Sequence, residues 1–361
     1  MIKSCDVGSM PLEGDQDKFV EEARSPTSSY FTEKIIQGLI DKVNSGIDIP
    51  TYPQYRDMNE MFSEMIDGAV KTEGGYRIEG ELSPKLRQSH IAEIDTLRLN
   101  SKKLSEKLSG TVGIRMCITG PYTFSSIFTY QGSELFTILA ELLAKIVREN
   151  IFKDKHAEVC FLSLDEPLLG VVDDPRLDFG SEGRDLLVEA WETIFYEAKS
   201  RGLETSIHLH NTGQDLFWQV GSLGVIESHV DDPFYTSSQA KKTLEETDKH
   251  VKASISTTNF DKLIEQSIKK SSSQATSAEE MVGEYWKGIK RGEINPTSLF
   301  EDTPLIEKRL KKTIEHFGVE RVLYAGPECG LKGFPNYGCA LEYLKHTSQA
   351  IKNVNKQLAG S

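Results

Sequence analysis

His208 and His210 stand two residues apart in the run Ser206-Ile-His-Leu-His. On a strand this spacing turns both imidazoles to one face, as joint ligation of a metal requires. Two histidines hydrogen-bonded inside a barrel would share that pattern, so the pair alone leaves both readings open. Glu227 ends the apolar run Gly224-Val-Ile, and Cys329 lies in Gly-Pro-Glu-Cys-Gly-Leu-Lys-Gly. Imidazole nitrogen, carboxylate oxygen and thiolate sulfur together suit Zn²⁺, and three protein ligands leave a position for substrate. A carboxylate led in by an apolar strand would be costly to bury without a partner. Glycines around Cys329 let the backbone approach a ligand closely and make a poor setting for a purely packed cysteine.

Asp165-Glu166-Pro167 follows another apolar run, Phe161-Leu-Ser-Leu. Pro early in a helix with a carboxylate just before it is ordinary helix-start chemistry. The functional alternative is a carboxylate that holds the ammonium group of a substrate in a charge-assisted contact. Val7-Gly8-Ser9-Met10-Pro11 reads as a turn with exposed backbone donors and a hydroxyl.

These residues share one property: they lie where strands end. Strand character recurs at 112–119, 159–164, 204–210, 224–228, 250–255 and 321–325, with two further strands expected near Asp6 and Ile47. Helical periodicity fills the gaps, clearest at 134–148, where Leu135, Ile138, Leu139, Leu142, Leu143 and Ile146 make one face, and again at 305–316. About eight strands alternating with helices predict an α/β fold, a (β/α)₈ barrel, whose strand ends build the open face. Polar stretches at 71–109 and 269–302 read as loop excursions on the rim. With no fixed-period repeat, residues 1–361 are expected to form one decorated barrel domain.

The chain has 361 residues, 38% of them apolar, enough for a large core. Forty-two Lys and Arg against 55 Asp and Glu give a net charge of −13, which argues against nucleic acid or an anionic membrane as partner. The segment MIKSCDVGSM lacks the apolar core of a signal peptide, and no window approaches a membrane span. Cys5, Cys117, Cys160, Cys329 and Cys339, odd in number and scattered, are expected as reduced thiols. A soluble, cytoplasmic protein is the expectation.

Val7-Gly8-Ser9-Met10-Pro11, Ile118-Thr-Gly-Pro-Tyr-Thr, Leu164-Asp-Glu-Pro, Ile207-His-Leu-His, Ile226-Glu-Ser and Pro327-Glu-Cys-Gly-Leu-Lys occur in that order. In this the chain resembles the catalytic C-terminal half of cobalamin-independent methionine synthase, within the uroporphyrinogen decarboxylase and methionine synthase barrel superfamily. The likeness spans nearly the whole chain and is most specific at the last two motifs and the Asp-Glu-Pro turn. It implies zinc held by His210, Glu227 and Cys329, Asp165 on the amino group of an amino-acid thiol such as homocysteine, and Gly8 and Ser9 on its carboxylate. Glu166 is a further candidate substrate contact.

The family carries a cysteine two residues after the matching histidine, where this chain has Thr212. A neutral hydroxyl is a very poor zinc ligand. Three outcomes follow, in order of preference: three protein ligands, His208 in the vacant place, or no zinc. The second family carboxylate for the amino group falls on Tyr52 or Gln54, neither acidic. The resemblance is to the short, archaeal-type form, without the N-terminal barrel, and implies a methylated corrinoid protein or a related folate or pterin one-carbon carrier as methyl donor.

The expected activity is thiol S-methyl transfer, because a free thiol is mostly protonated at neutral pH and zinc coordination deprotonates it. The alternatives are another one-carbon transferase or a decarboxylase on the same barrel, or a catalytically divergent homologue that binds a corrinoid protein or small ligand. Metal content separates the first from the expected activity. Zinc binding without methyl transfer would favour the second.

Overall fold

The structure, a computed structural model, describes residues 1–24, 28–85, 89–171, 173–271 and 278–360. Nine strands occur among them: β1 (Lys3–Ser4), β2 (Ile66–Thr72), β3 (Gly75–Pro84), β4 (Val112–Thr119), β5 (Ala157–Glu166), β6 (Glu204–Leu209), β7 (Val225–Glu227), β8 (His250–Ser256) and β9 (Val322–Pro327). Seven pair in parallel in the order β1-β9-β8-β7-β6-β5-β4. Parallel strands covered on both faces read as continuous apolar runs, which is how β4, with seven of its eight residues buried, appears in sequence.

The two edges of this sheet meet across residues 49–51. Ile49 bridges Cys5 after β1, and Thr51 bridges Arg115 of β4, both in parallel. Backbone bonds support the seam: Ile49 N donates to Ser4 O at 3.0 Å, Arg115 N to Pro50 O at 2.9 Å and Tyr52 N to Arg115 O at 3.2 Å. The seven strands and this short eighth segment thus close a (β/α)₈ barrel, which leaves no exposed sheet edge. A buried ion pair pins the seam. Lys42 Nζ lies 2.8 Å from Asp6 Oδ2 and also donates to the carbonyls of Gly8 and Thr51, each at 2.9 Å.

Helices wrap the outside. Helix Glu134–Asn150 buries Leu135, Leu139, Leu142, Leu143 and Ile146 as its spacing predicts, whereas Ile138 stays exposed at the margin of the stripe. Helix Thr303–Phe317 buries Ile306, Leu310 and Phe317 and runs into β9. The first polar stretch is more ordered than its composition suggests. Residues 66–84 form an antiparallel hairpin, β2 with β3, followed by helices Ala92–Leu99 and Ser101–Leu108. In the second stretch helix Ala278–Lys290 is formed, while residues 272–277 of its serine-rich start lie outside the described residues. Among the described residues, no helix is long and apolar enough to cross a membrane.

Candidate metal centre

Strands β5, β6 and β7 and the loops after β7 and β9 deliver side chains to one mouth of the barrel. β6 ends at Leu209, so His208 points into the barrel and His210 emerges just beyond the strand. His229 follows β7 by two residues, and Cys329 follows β9 by two. One ligand-type atom from each of His208, His210, His229 and Cys329 lies within 4.8 Å of the others. His210 Nε2 is 3.6 Å from Cys329 Sγ, and the rings of His210 and His229 stand 4.0 Å apart between centroids. This group can hold a metal ion.

The chemistry of the four donors fits such an ion. Burial lowers the pKa of all three imidazoles, that of His229 to about 3, and so keeps their lone pairs free. Neither nitrogen of His208, nor Nε2 of His229, has a hydrogen-bond partner among the described residues. Buried polar atoms are normally satisfied, so an orphaned nitrogen from each of His208 and His229, beside a thiol, is what a bound cation would resolve. Burial pushes the Cys329 thiol up to about 12, with the Asp165 charge adding to it; a coordinated metal would deprotonate it.

Glu227, expected as a ligand, lies outside this group of four. It sits one layer deeper, where Arg115 pairs with its Oε1 and Lys252 Nζ approaches Oε2 at 2.6 Å. Ser206 Oγ and Ser163 Oγ donate to Oε1 at 3.1 and 3.3 Å. Burial raises the carboxyl pKa, but Arg115, Lys252 and His208 outweigh it and hold Glu227 well below the usual carboxylate range. The carboxylate thus finds the partner its burial demands in two strand cations. It touches the metal group only from behind, its Oε2 3.8 Å from His208 Nδ1.

Sequence reasoning missed His229. A signal was present, since His229 stands two residues after Glu227 just as His210 stands two after His208, and each pair follows a strand inward and out at the mouth. Thr212, in the position of the family cysteine, is engaged elsewhere. Its hydroxyl donates to Asp232 Oδ1 at 2.6 Å and its amide to Oδ2 at 3.1 Å.

The two carboxylates after β5 have different surroundings. Asp165 Oδ1 is 3.9 Å from His208 Nε2 and is buried without a hydrogen-bond partner among the described residues. Burial, with the Glu227 charge behind it, pushes its carboxyl up to about 7. Glu166 is fully engaged. Its Oε1 accepts from Tyr122 N at 3.0 Å and Trp191 Nε1 at 2.8 Å, and its Oε2 from Thr123 N at 2.7 Å. It therefore anchors the helix Pro121–Ser125, with both carboxylate oxygens already accepting from protein donors. Gly120 is required there, because a Cβ would come within 2.2 Å of the Glu166 carboxylate. Glu166→Gln would set an amide NH₂ against N–H donors, and stability should fall by about 1–3 kcal/mol in urea unfolding.

The N-terminal turn reaches the same mouth. Leu331 N donates to Ser9 O at 2.6 Å, and a Cβ on Gly330 would strike Ser9 Oγ at 1.9 Å. Gly8, at φ +134°, packs so closely on Gln54 that a side chain would collide at 2.2 Å. Ser9 and Cys329 are thereby held as neighbours across a single glycine.

No protein-family model matches the chain. A stretch of 144 residues is 26% identical to methionine synthase of Sulfolobus acidocaldarius, covering 38% of this chain and 42% of that enzyme. The match thus spans less than half the length of the curated relative. Across the full length of both chains, the structure superposes on a B12-independent methionine synthase from a Shewanella species, solved with selenomethionine bound, at a TM-score of 0.64 and 14% identity. The two share a barrel fold. At that identity the likeness speaks for architecture alone, and the chemistry has to be argued from the site.

Proposed function

We propose that this barrel is a zinc-dependent thiol S-methyltransferase, most simply one that converts homocysteine to methionine. The observation that carries the reading is the convergence of three neutral imidazoles and a cysteine at the strand-end mouth of a methionine-synthase-like barrel. His210 and Cys329, with His208 and His229 beside them, would hold the metal. Bound zinc supplies Lewis acidity that removes the proton from a substrate thiol at neutral pH.

The remaining roles belong to side chains of this chain. Asp165, with an unpartnered oxygen at the mouth, accepts the ammonium group of an amino-acid thiol. An ammonium there would favour the ionised carboxylate and so offset its raised pKa. Ser9 and the Gly8 backbone, latched next to Cys329, present donors for the substrate carboxylate. Glu227 with Arg115 and Lys252 sets the charge beneath His208. In the net reaction the thiol loses its proton, its sulfur forms a bond to the methyl carbon, and the donor's bond to that carbon breaks with the electron pair leaving on the carrier. The donor is a methylated corrinoid or a folate or pterin carrier.

The test is direct. Zinc-loaded protein is incubated with homocysteine and either methylcobalamin or methyltetrahydrofolate, and methionine is measured by mass spectrometry. Methionine should form with at least one donor and cease when a chelator strips the metal. Retention of zinc with no product from either donor, free or protein-bound, would reject the reading in favour of a binding protein.

A further inference from the structure

Four protein donors around zinc make a closed site, whereas a catalytic zinc keeps a position for its substrate. If His208, His210, His229 and Cys329 all bind, one of them must give way before a thiol can coordinate. The three imidazoles differ in what else holds them. His208 is 1% exposed, lies within β6 and is wedged between Asp165 and Glu227 at 3.9 and 3.8 Å. His210 follows directly on the same strand, with Nε2 against the Cys329 sulfur. His229 belongs to the loop after β7, and, although its Nε2 is as free of hydrogen bonds as the His208 nitrogens, no carboxylate flanks its ring within 4.0 Å among the described residues.

A cavity of about 560 Å³ opens beside the group, between the loop after β8, the helix Ala278–Lys290 and the loop after β9. Of the four donors, His229 and Cys329 line it, and Phe260 and Trp286 are also part of its lining. That volume suits a small ligand. A thiol arriving through this opening meets the Cys329 sulfur and the His229 ring before it can reach the other two imidazoles.

We propose that His229 is the fourth metal ligand and the one exchanged for the incoming thiol. The inference rests on the metal reading above and adds a residue that the family's zinc set does not contain. In the exchange the coordinate bond to the His229 nitrogen breaks and its lone pair returns to the ring. A bond to the substrate sulfur forms, and the thiol proton passes to solvent. His208, His210 and Cys329 stay in place.

X-ray absorption at the zinc edge tests this without any methyl donor. Wild-type protein should show three imidazoles and one sulfur, and addition of homocysteine should raise the sulfur count to two while the imidazole count falls to two. His229→Ala should begin with two imidazoles, one sulfur and a water oxygen, then gain sulfur with no imidazole loss. His229→Gln, closer in shape, repeats the measurement should the alanine variant fold poorly. An imidazole count unchanged by either substitution, or wild-type sulfur uptake without imidazole loss, would overturn the proposal. A protein that passes this test but makes no methionine would refute the methyltransferase reading and leave the role of His229 standing.

Discussion

Cys329→Ala should lower zinc affinity by at least about 100-fold, because even changes outside the ligand shell commonly cost 10–100-fold. The change removes the one anionic donor among the four and leaves three neutral imidazoles around a divalent cation. Competition with a chromophoric chelator gives the affinity, and metal content after dialysis gives an independent check. Methyl transfer should disappear with the metal. Unfolding is not the route, since Cys329 is only partly buried and the loop that carries it is held to Ser9 by the backbone bond from Leu331 N. The metal-free variant should therefore unfold within about 1 kcal/mol of the metal-free wild type. Wild-type zinc affinity in Cys329→Ala would remove the sulfur from the site altogether.

Glu227→Gln should have the largest effect on stability, about 3–5 kcal/mol, measured as a fall in the urea midpoint of the metal-free protein. The carboxylate is the shared counter-charge of Arg115 and Lys252, all three side chains being wholly buried. Without it two cations remain in the barrel interior with their shared counter-charge gone. Lys252→Met alongside Glu227→Gln removes one of them and should recover part of the loss, so the pair should behave non-additively. Zinc affinity separates two roles for this residue. A supporting carboxylate behind His208 leaves the affinity within about tenfold of wild type, in the milder part of the range for groups outside the ligand shell. A drop as steep as that of Cys329→Ala would make Glu227 a direct ligand.

The barrel was legible because its long parallel strands are sandwiched between core and helices, and their sequences are nearly unbroken apolar runs. The run at 112–119 coincides with β4 residue for residue. β1 has two residues and the seam at 49–51 three, too short for any periodicity, and both exist through pairing and the Lys42–Asp6 contact rather than local preference. The hairpin β2–β3 reads as an excursion because only two of its 17 strand residues are buried, although two residues, Glu73 and Gly74, join its strands as a tight hairpin turn would. Strand ends pointed to the mouth and hence to most of its side chains. Partner choice was harder to read. Glu227, led in by an apolar strand, implied a buried partner, yet nothing in its spacing told whether Arg115 and Lys252 or a metal would supply it.

β9 lies between β8 and β1 in the sheet, so the strand that carries Cys329 to the mouth is an insertion between one of the latest elements and the earliest. During synthesis the three histidines leave the ribosome long before the thiol does, and the ring of strands stays open until β9 slots home. Such long-range closure is entropically slow. Of the four grouped side chains, a nascent chain therefore presents only the three imidazoles to a metal, and the sulfur joins them at the moment the cylinder locks. Loading zinc before or after that moment should give different yields of correctly assembled protein.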